Sequence, residues 1–539
     1  MTPGRWLPVG ACLVGIFVVF RDTLFSGGML QLSDAGDPRF NEFLLEHSWR
    51  WLRGETAGGF FDLPMAYPLG NTLAYSEPMV SFGPLYWPFR AMGLSAPHSY
   101  SWWLVAMAVA NFFSFYVFMR KALKHEPLSA SIAAFLFAFG LPRVAQIGHS
   151  QLWPQPYVVL VLWGMFALLF DGTSKRVRRW AVAAVVTGLV LQAWGCLYNA
   201  IFIGYACLAA GVFAVAHPAW RAQAWRTLRE TGTFAAVCVA VGAVLLLPLA
   251  QAYLAVYATV PDWDPRLLAG LQPRPGSLLY VWGSSWFYAW MTTSTPLGGL
   301  PALNEQALGM GLLTSVVVLL TLFRHFRQPV VHLLVFLVVV LWLPTVLWPG
   351  GHSAWFTVRE WIPGWGALRA ISRLGILFLI PASIALGVFV AGRSRWRWPG
   401  VCTAIALLCV VEQGTEVYSW PREPYEDVVD KIVENVDPDA EAFYYVGAGV
   451  VPSWYSHIDA ILAAQRAGVP TVNMFSGKYP SAYEDLRDNV ATNAAMRQRI
   501  DRGLDHWIQR QGLSPDRIQR IDQTEIWQVP AAVNERAVP

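Results

Sequence analysis

The chain has 539 residues, 55% of them hydrophobic and 14% charged, with a mean hydropathy of +0.40 and a formal net charge of +4. A soluble domain carries about a quarter charged residues, so this composition excludes an ordinary soluble protein and, with apolar runs along most of the length, indicates a polytopic membrane protein. No long Lys/Arg tract supports a nucleic-acid partner.

The first apolar run, Trp6 to Phe25, follows Arg5 and is not followed by an A-x-A-like cleavage site, so it is expected to remain as a first transmembrane helix. Directly after it, "SDAGDPRFNE" carries two carboxylates, Asp34 and Asp37, three residues apart. The stretch "DPRFNEFLLEHSWRWLRG" has Pro at a first helical turn and an apolar face of Phe40, Phe43, Leu44, Trp51 and Leu52, which predicts an amphipathic helix at the membrane interface. Further apolar runs begin near Ser101, Leu128, Leu152, Trp180, Ile201, Thr231, Ala307, Pro329, Leu374 and Pro399. With the first they predict about eleven transmembrane helices, those around 180–216 being split at "GCLYN".

The segments "RKALKHE", "SKRVRR", "AWRAQAWRTLR", "FRHFR" and "RSRWR" hold fifteen Lys or Arg and occupy alternate loops. Such loops face the cytoplasm. The N-terminus is then cytoplasmic, and loops 26–100 and 257–304 and the C-terminal tail are extracytoplasmic. The 257–304 loop is rich in Pro, Gly and Trp, which suits a segment packed on the membrane face as a lid. From Glu412 the composition turns polar. "EAFYYVGAG" and "VPTVNMF" predict strands, "SHIDAILAAQRAG" and 481–511 helices, and "IQRIDQTEIWQV" a final strand. The expected fold is thus a polytopic α-helical membrane domain, residues 1–413, followed by a small extracytoplasmic α/β domain, 414–539. All six cysteines fall in apolar runs, which offers neither a disulfide framework nor a CxxC metal site. "GAG" at 447–449 lacks the third glycine and acidic partner of a dinucleotide fingerprint.

A first helix followed by an acidic pair in a long exterior loop resembles the GT-C glycosyltransferases, polytopic enzymes that take a sugar from a polyprenyl-phosphate carrier. More closely, "GDPRFNEFLLEHSWRWLRG", "YPLGNTLAYSEP", "GHSQLWPQ", "LRAISRLG" and "GVPTVNMFSGKYP" resemble blocks of a mostly uncharacterised bacterial family of GT-C-like membrane proteins, nearly end to end. That family has a tyrosine where this chain has Phe475, so no polar role is expected there. The resemblance implies a bacterial inner-membrane hexosyl or pentosyl transferase, with a polyprenyl-phosphate-linked sugar as donor and a glycan, lipid or protein as acceptor. It implies a loop acid that serves as general base or holds a divalent metal such as Mg²⁺ or Mn²⁺, which by position is Asp37, with Asp34 second.

Lipid-linked sugar transfer needs a base for the acceptor hydroxyl and a cation beside the departing phosphate. Asp37 also fits an ordinary N-cap before Pro38, and Asp34 a solvated loop acid. Glu77 and His149 stand near span ends, where each fits either substrate binding or a hydrogen-bonded helix terminus. Arg369 and Arg373, four apart in "ALRAISRLG", would share one helix face. They suit either a phosphate, through arginine's planar fork, or lipid headgroups reached by snorkelling. Arg359 and Arg143 are weaker versions of the same idea. Trp282, Trp286 and Trp290 fit an interfacial aromatic belt. The alternatives to an enzyme are a transporter or flippase of lipid-linked saccharides, which would place ionisable residues deep in the spans, and a non-catalytic scaffold for envelope assembly.

Overall fold

The computed structural model describes residues 6–169, 174–392, 398–449 and 452–526, so the basic segment at 393–397 lies outside them. After α1 (Leu7–Phe25) come a short strand, β1 (Leu30–Leu32), and α2 (Asp37–Leu52). The apolar series continues as α3 (Ala96–Lys121), α4 (Pro127–Phe139), α5 (Pro156–Leu169), α6 (Lys175–Ala193), α7 (Leu197–Ala216), α8 (Pro218–Tyr257), α9 (Leu312–Arg324), α10 (Pro329–Leu337), α11 (Leu379–Ala391) and α12 (Pro399–Val411). Each of the eleven apolar runs therefore falls on a helix. Among the described residues seven helices are long and apolar enough to cross a membrane, and three more, including α9 and α12, are apolar but shorter. The protein is mostly helical and multi-pass.

Contacts group the chain into two units. The first comprises Met1–Leu24, Leu104–Leu246 and Trp263–Tyr418 and holds most of the apolar helices. Here α5 and α6 approach closely because neither presents a side chain at the crossing: a Cβ on Gly164 would lie 2.6 Å from the Ala181 carbonyl oxygen, and one on Gly188 2.9 Å from that of Tyr157. At the end of α12, the Glu412 carboxylate accepts the Leu313 and Thr314 N–H groups at 2.8 and 2.7 Å and the Thr314 hydroxyl at 2.6 Å. It thus satisfies the donors left open at the start of α9.

The second unit comprises Phe25–Trp103, Leu247–Asp262 and Ser419–Pro539. Its β1 pairs antiparallel with β2 (Ser419–Pro421), Leu30 opposite Pro421. The tail adds α13 (Glu423–Asn435), β3 (Ala442–Ala448), α14 (Ser453–Ala467), β4 (Val490–Ala491), α15 (Ala494–Gln511) and β5 (Ile518–Asp522). The three strands form a parallel sheet in the order β4-β3-β5.

Three expectations are corrected in this unit. "VPTVNMF" makes one bridge, Phe443 to Thr471, rather than a strand. The Asn473 side chain takes the next rung, accepting the Tyr445 N–H at 2.7 Å and donating to the Tyr445 carbonyl at 2.9 Å. The helix expected over 481–511 is interrupted by β4 and restarts where the Asn493 side chain accepts the Met496 N–H. The last strand ends at Asp522 and a short helical turn, Gln523–Ile526, follows. Helix α2 is buried along Pro38–Ser48, charged residues included, while Trp51 and Leu52 at its end are exposed.

Candidate active site

The acidic turn belongs to the second unit. Ser33 adopts a left-handed backbone, φ +70°, and the chain turns so that Asp34 Oδ1 accepts the Gly36 N–H at 2.7 Å while the Ser33 hydroxyl donates to Oδ2 at 3.3 Å. Helix α2 opens at Asp37 with Gly36 as its N-cap. This corrects the expected N-cap role of Asp37. Pro38 sits in the first turn, where a missing N–H costs nothing; Asp37 stands inside that turn, and Asp34 orders the approach to it. Both acids are half-buried.

Three ion pairs hold α2, and none was foreseen. Arg39 meets Asp459 at 2.7 Å, Glu42 meets Arg422 at 3.3 Å, and Glu46 meets Arg90 at 2.7 Å and the Tyr86 hydroxyl at 2.7 Å. Burial pushes Glu42 up to about 7 despite Arg422. Glu77, half-buried in the same unit, follows Ser76, whose carbonyl accepts the Tyr253 hydroxyl.

The first unit contains a cluster of opposite charge. Arg373 forks onto Glu305, with Nη2 to Oε1 at 2.6 Å and Nε to Oε1 at 3.0 Å, and the Ser372 hydroxyl donates to Oε2 at 3.1 Å. Burial raises Glu305, but Arg373, His149 and Ser372 together bring it below the usual carboxylate value. His149 Nε2 lies 4.0 Å from Glu305 Oε1. Its Nδ1 is 2.9 Å from Gln146 Oε1, and Gln146 is oriented by donating to the Asn304 carbonyl at 2.7 Å, so Nδ1 carries the proton.

The two arginines do not share a helix face. Arg369 precedes the 3-10 segment Ile371–Phe378 that carries Arg373, and its N–H donates to the Tyr198 hydroxyl at 2.8 Å. Arg373 is buried, whereas half-buried Arg369 places its guanidinium 5.7 Å from the Trp263 ring centroid and makes no ion pair among the described residues. Arg143 is buried and donates to the Phe137 and Trp153 carbonyls and Gln155 Oε1; Arg359 donates to the Gly366 carbonyl. Trp286 and Trp290 are exposed, and Trp282 packs beside Tyr280 and Val281. Glu305 was missed from sequence although it is the one acid in "LPALNEQALG"; its partner lies too far along the chain for spacing to reveal.

A divalent cation of the Mg²⁺ or Mn²⁺ kind needs several oxygen ligands. Among the described residues no group of three His, Cys, Asp or Glu side chains stands together, and both Asp34 oxygens are already engaged by the turn. The described residues do not assemble such a cage.

Burial holds three histidines neutral: His149 is lowered to about 3, with Arg373 adding to the effect, and His47 and His457 to about 4. Each folded value lies below the ordinary one near 6.5, so the unfolded chain takes up protons first and stability falls as pH drops from 6.5 toward 4.5. Glu42, raised to about 7, works in the opposite direction over that window. Three histidines outweigh one carboxyl, so the net effect is a loss of stability as pH falls through that window. The thermal unfolding midpoint is expected to fall across that range, and His457→Gln to flatten the slope; an unchanged slope would mean that His457 titrates normally.

No family model matches the sequence, and no curated protein matches it. Solved structures do. The archaeal oligosaccharyltransferase AglB from Archaeoglobus fulgidus, in complex with an inhibitory peptide and a dolichol-phosphate, aligns at a TM-score of 0.55 and 14% identity over 94% of this chain and 68% of that one. The arabinofuranosyltransferase AftD from Mycobacteria aligns at 0.52 and 15% identity over 90% of this chain. This chain spans about a third of that enzyme's length, 33%, and 64% of the Archaeoglobus enzyme in its apo form. Identities this low establish architecture alone. The chain has the fold of the GT-C membrane glycosyltransferases.

Proposed function

We propose that this protein is a membrane glycosyltransferase that moves a sugar from a polyprenyl-phosphate carrier to an extracytoplasmic glycan, lipid or protein. The observation that carries the reading is the fold likeness over 94% of the chain to an oligosaccharyltransferase solved with dolichol-phosphate. In this reading the protein sits in a bacterial inner membrane, N-terminus inside and α/β tail outside, as the alternation of basic loops suggests. Asp37 takes the proton of the acceptor hydroxyl, with Asp34 as the alternative base. The acceptor oxygen bonds the anomeric carbon as the bond from that carbon to the carrier phosphate breaks, and the electron pair leaves on the phosphate. Arg369, a guanidinium with no carboxylate partner among the described residues, is the cation for that phosphate. Arg373 is committed to Glu305 and anchors the 3-10 segment that follows Arg369. Glu77 and His149 are assigned to substrate binding.

The test is release of polyprenyl phosphate by purified protein offered polyprenyl-phosphate hexoses and pentoses with envelope glycans, lipids and peptides as acceptors. Turnover with one donor is expected, and Arg369→Ala should raise the donor KM about 10- to 100-fold, the range of a lost charge-assisted hydrogen bond. No turnover with any donor would defeat the reading, and carriage of the donor across a bilayer without cleavage would replace it with a flippase.

A further inference from the structure

Beside the acidic turn, the second unit carries an aromatic surface that the proton-transfer chemistry does not use. The Trp454 ring lies directly on Gly36, the residue between Ala35 and Asp37. A Cβ there would come 2.1 Å from Trp454 Cζ3, while Asp34 Oδ1 would be 2.9 Å away on the same side. Any larger residue at 36 would displace the ring, so the absence of a side chain is what lets the indole approach the turn.

The rings around Trp454 are mutually fixed. Trp454 stacks on Tyr455 at 3.9 Å between centroids, and Tyr455 on Tyr425 at 5.9 Å. The Arg39 guanidinium lies over Tyr425 at 5.2 Å and is itself tied to Asp459. On the other side Phe475 stands 6.5 Å from Trp454, tilted by 37°, and is held edge-on by Phe40 of α2 at 5.0 Å. Trp454 and Phe475 are half-buried whereas Tyr455 and Phe40 are buried, so these two rings keep part of their surface accessible on a packed support.

Two tilted aromatic faces next to two carboxylates match one chemical class. The C–H face of a sugar ring carries small positive partial charges that an aromatic face attracts, and its edge hydroxyls are donors that carboxylates accept. Carboxylates at the edge also repel an anionic sugar. We propose that Trp454 and Phe475 form a stacking subsite for a neutral saccharide, the acceptor, with its hydroxyl edge toward Asp34 and Asp37. Phe475, where no polar role is expected, then serves as an apolar wall. The assignment of this sugar as acceptor rests on the transferase reading; the subsite itself does not.

The experiment is saturation-transfer NMR on the full chain in nanodiscs without donor. The probes are the methyl glycosides of glucose, galactose, mannose and arabinofuranose, their disaccharides, and methyl glucuronide. Saturation of ring C–H protons is expected for at least one neutral glycoside and not for the glucuronide. The signal should weaken about five- to tenfold in Trp454→Ala, the scale of one lost aromatic contact, and persist in Trp454→Phe, which keeps the face. Thermal unfolding of both variants at the wild-type midpoint shows that the loss is local. No signal from any neutral glycoside, or equal signal in Trp454→Ala, overturns the subsite. Sugar binding without turnover would retain the subsite and remove the transferase, while turnover with an unchanged acceptor KM in Trp454→Ala would do the reverse.

Discussion

Asp37→Asn is expected to lower the transfer rate by about 100- to 10,000-fold, the usual contribution of a general base, while the protein folds as before. The second half of that expectation comes from the turn. The N-cap of α2 is Gly36, and the bond that shapes the approach is accepted by Asp34. The helix is then held along its length by Arg39 with Asp459, Glu42 with Arg422 and Glu46 with Arg90. An amide at position 37 keeps the size of the side chain and leaves these bonds in place, and thermal unfolding measured beside the rate separates lost chemistry from lost structure. Asp34→Asn is the informative control. Its amide oxygen can still accept the Gly36 N–H, so the turn survives and a modest rate loss is expected. Equal rates for wild type and Asp37→Asn would remove Asp37 as base, and a collapse confined to Asp34→Asn would transfer the role to it.

The contrast between these two acids shows how far the sequence reaches. Apolar runs mark α1 and α3–α12 because continuous hydrophobicity is a local property of the chain. The start of α2 was placed to within one residue from Asp37 and Pro38, yet that one residue decides which acid orders the turn. The amphipathic reading of α2 assigned its apolar face but no partners to its charged side chains. The partners that bury them, Asp459 and Arg422, arrive from the tail and leave no trace in local periodicity. The same holds for Glu305 and Arg373. For Arg369 and Arg373 the four-residue spacing was informative only on the premise of a continuous α-helix. Ala370, at φ −102° and ψ 85°, ends that continuity before the 3-10 segment begins, and three residues per turn would not align the pair in any case.

That separation of roles leads to the second large effect. Glu305→Ala is expected to destabilise the protein by about 3–5 kcal/mol, because it leaves the buried Arg373 guanidinium without its counter-charge. Arg373→Met should cost a similar amount by stranding Glu305, and the double variant should recover much of the loss, since a buried pair replaced together by apolar groups is nearly neutral. Thermal unfolding of the three variants closes this cycle, and additive losses would show that the fork contributes nothing as a pair. His149 supplies an independent readout. Arg373 lowers its proton affinity and Glu305 raises it, so Arg373→Met leaves the imidazole 4.0 Å from an uncompensated carboxylate. Its titration should then move up from about 3 toward the ordinary range. Were Arg373 instead the primary cation for the carrier phosphate, Arg373→Met would raise the donor KM without a comparable loss of stability, and the His149 shift alone would no longer identify its partner.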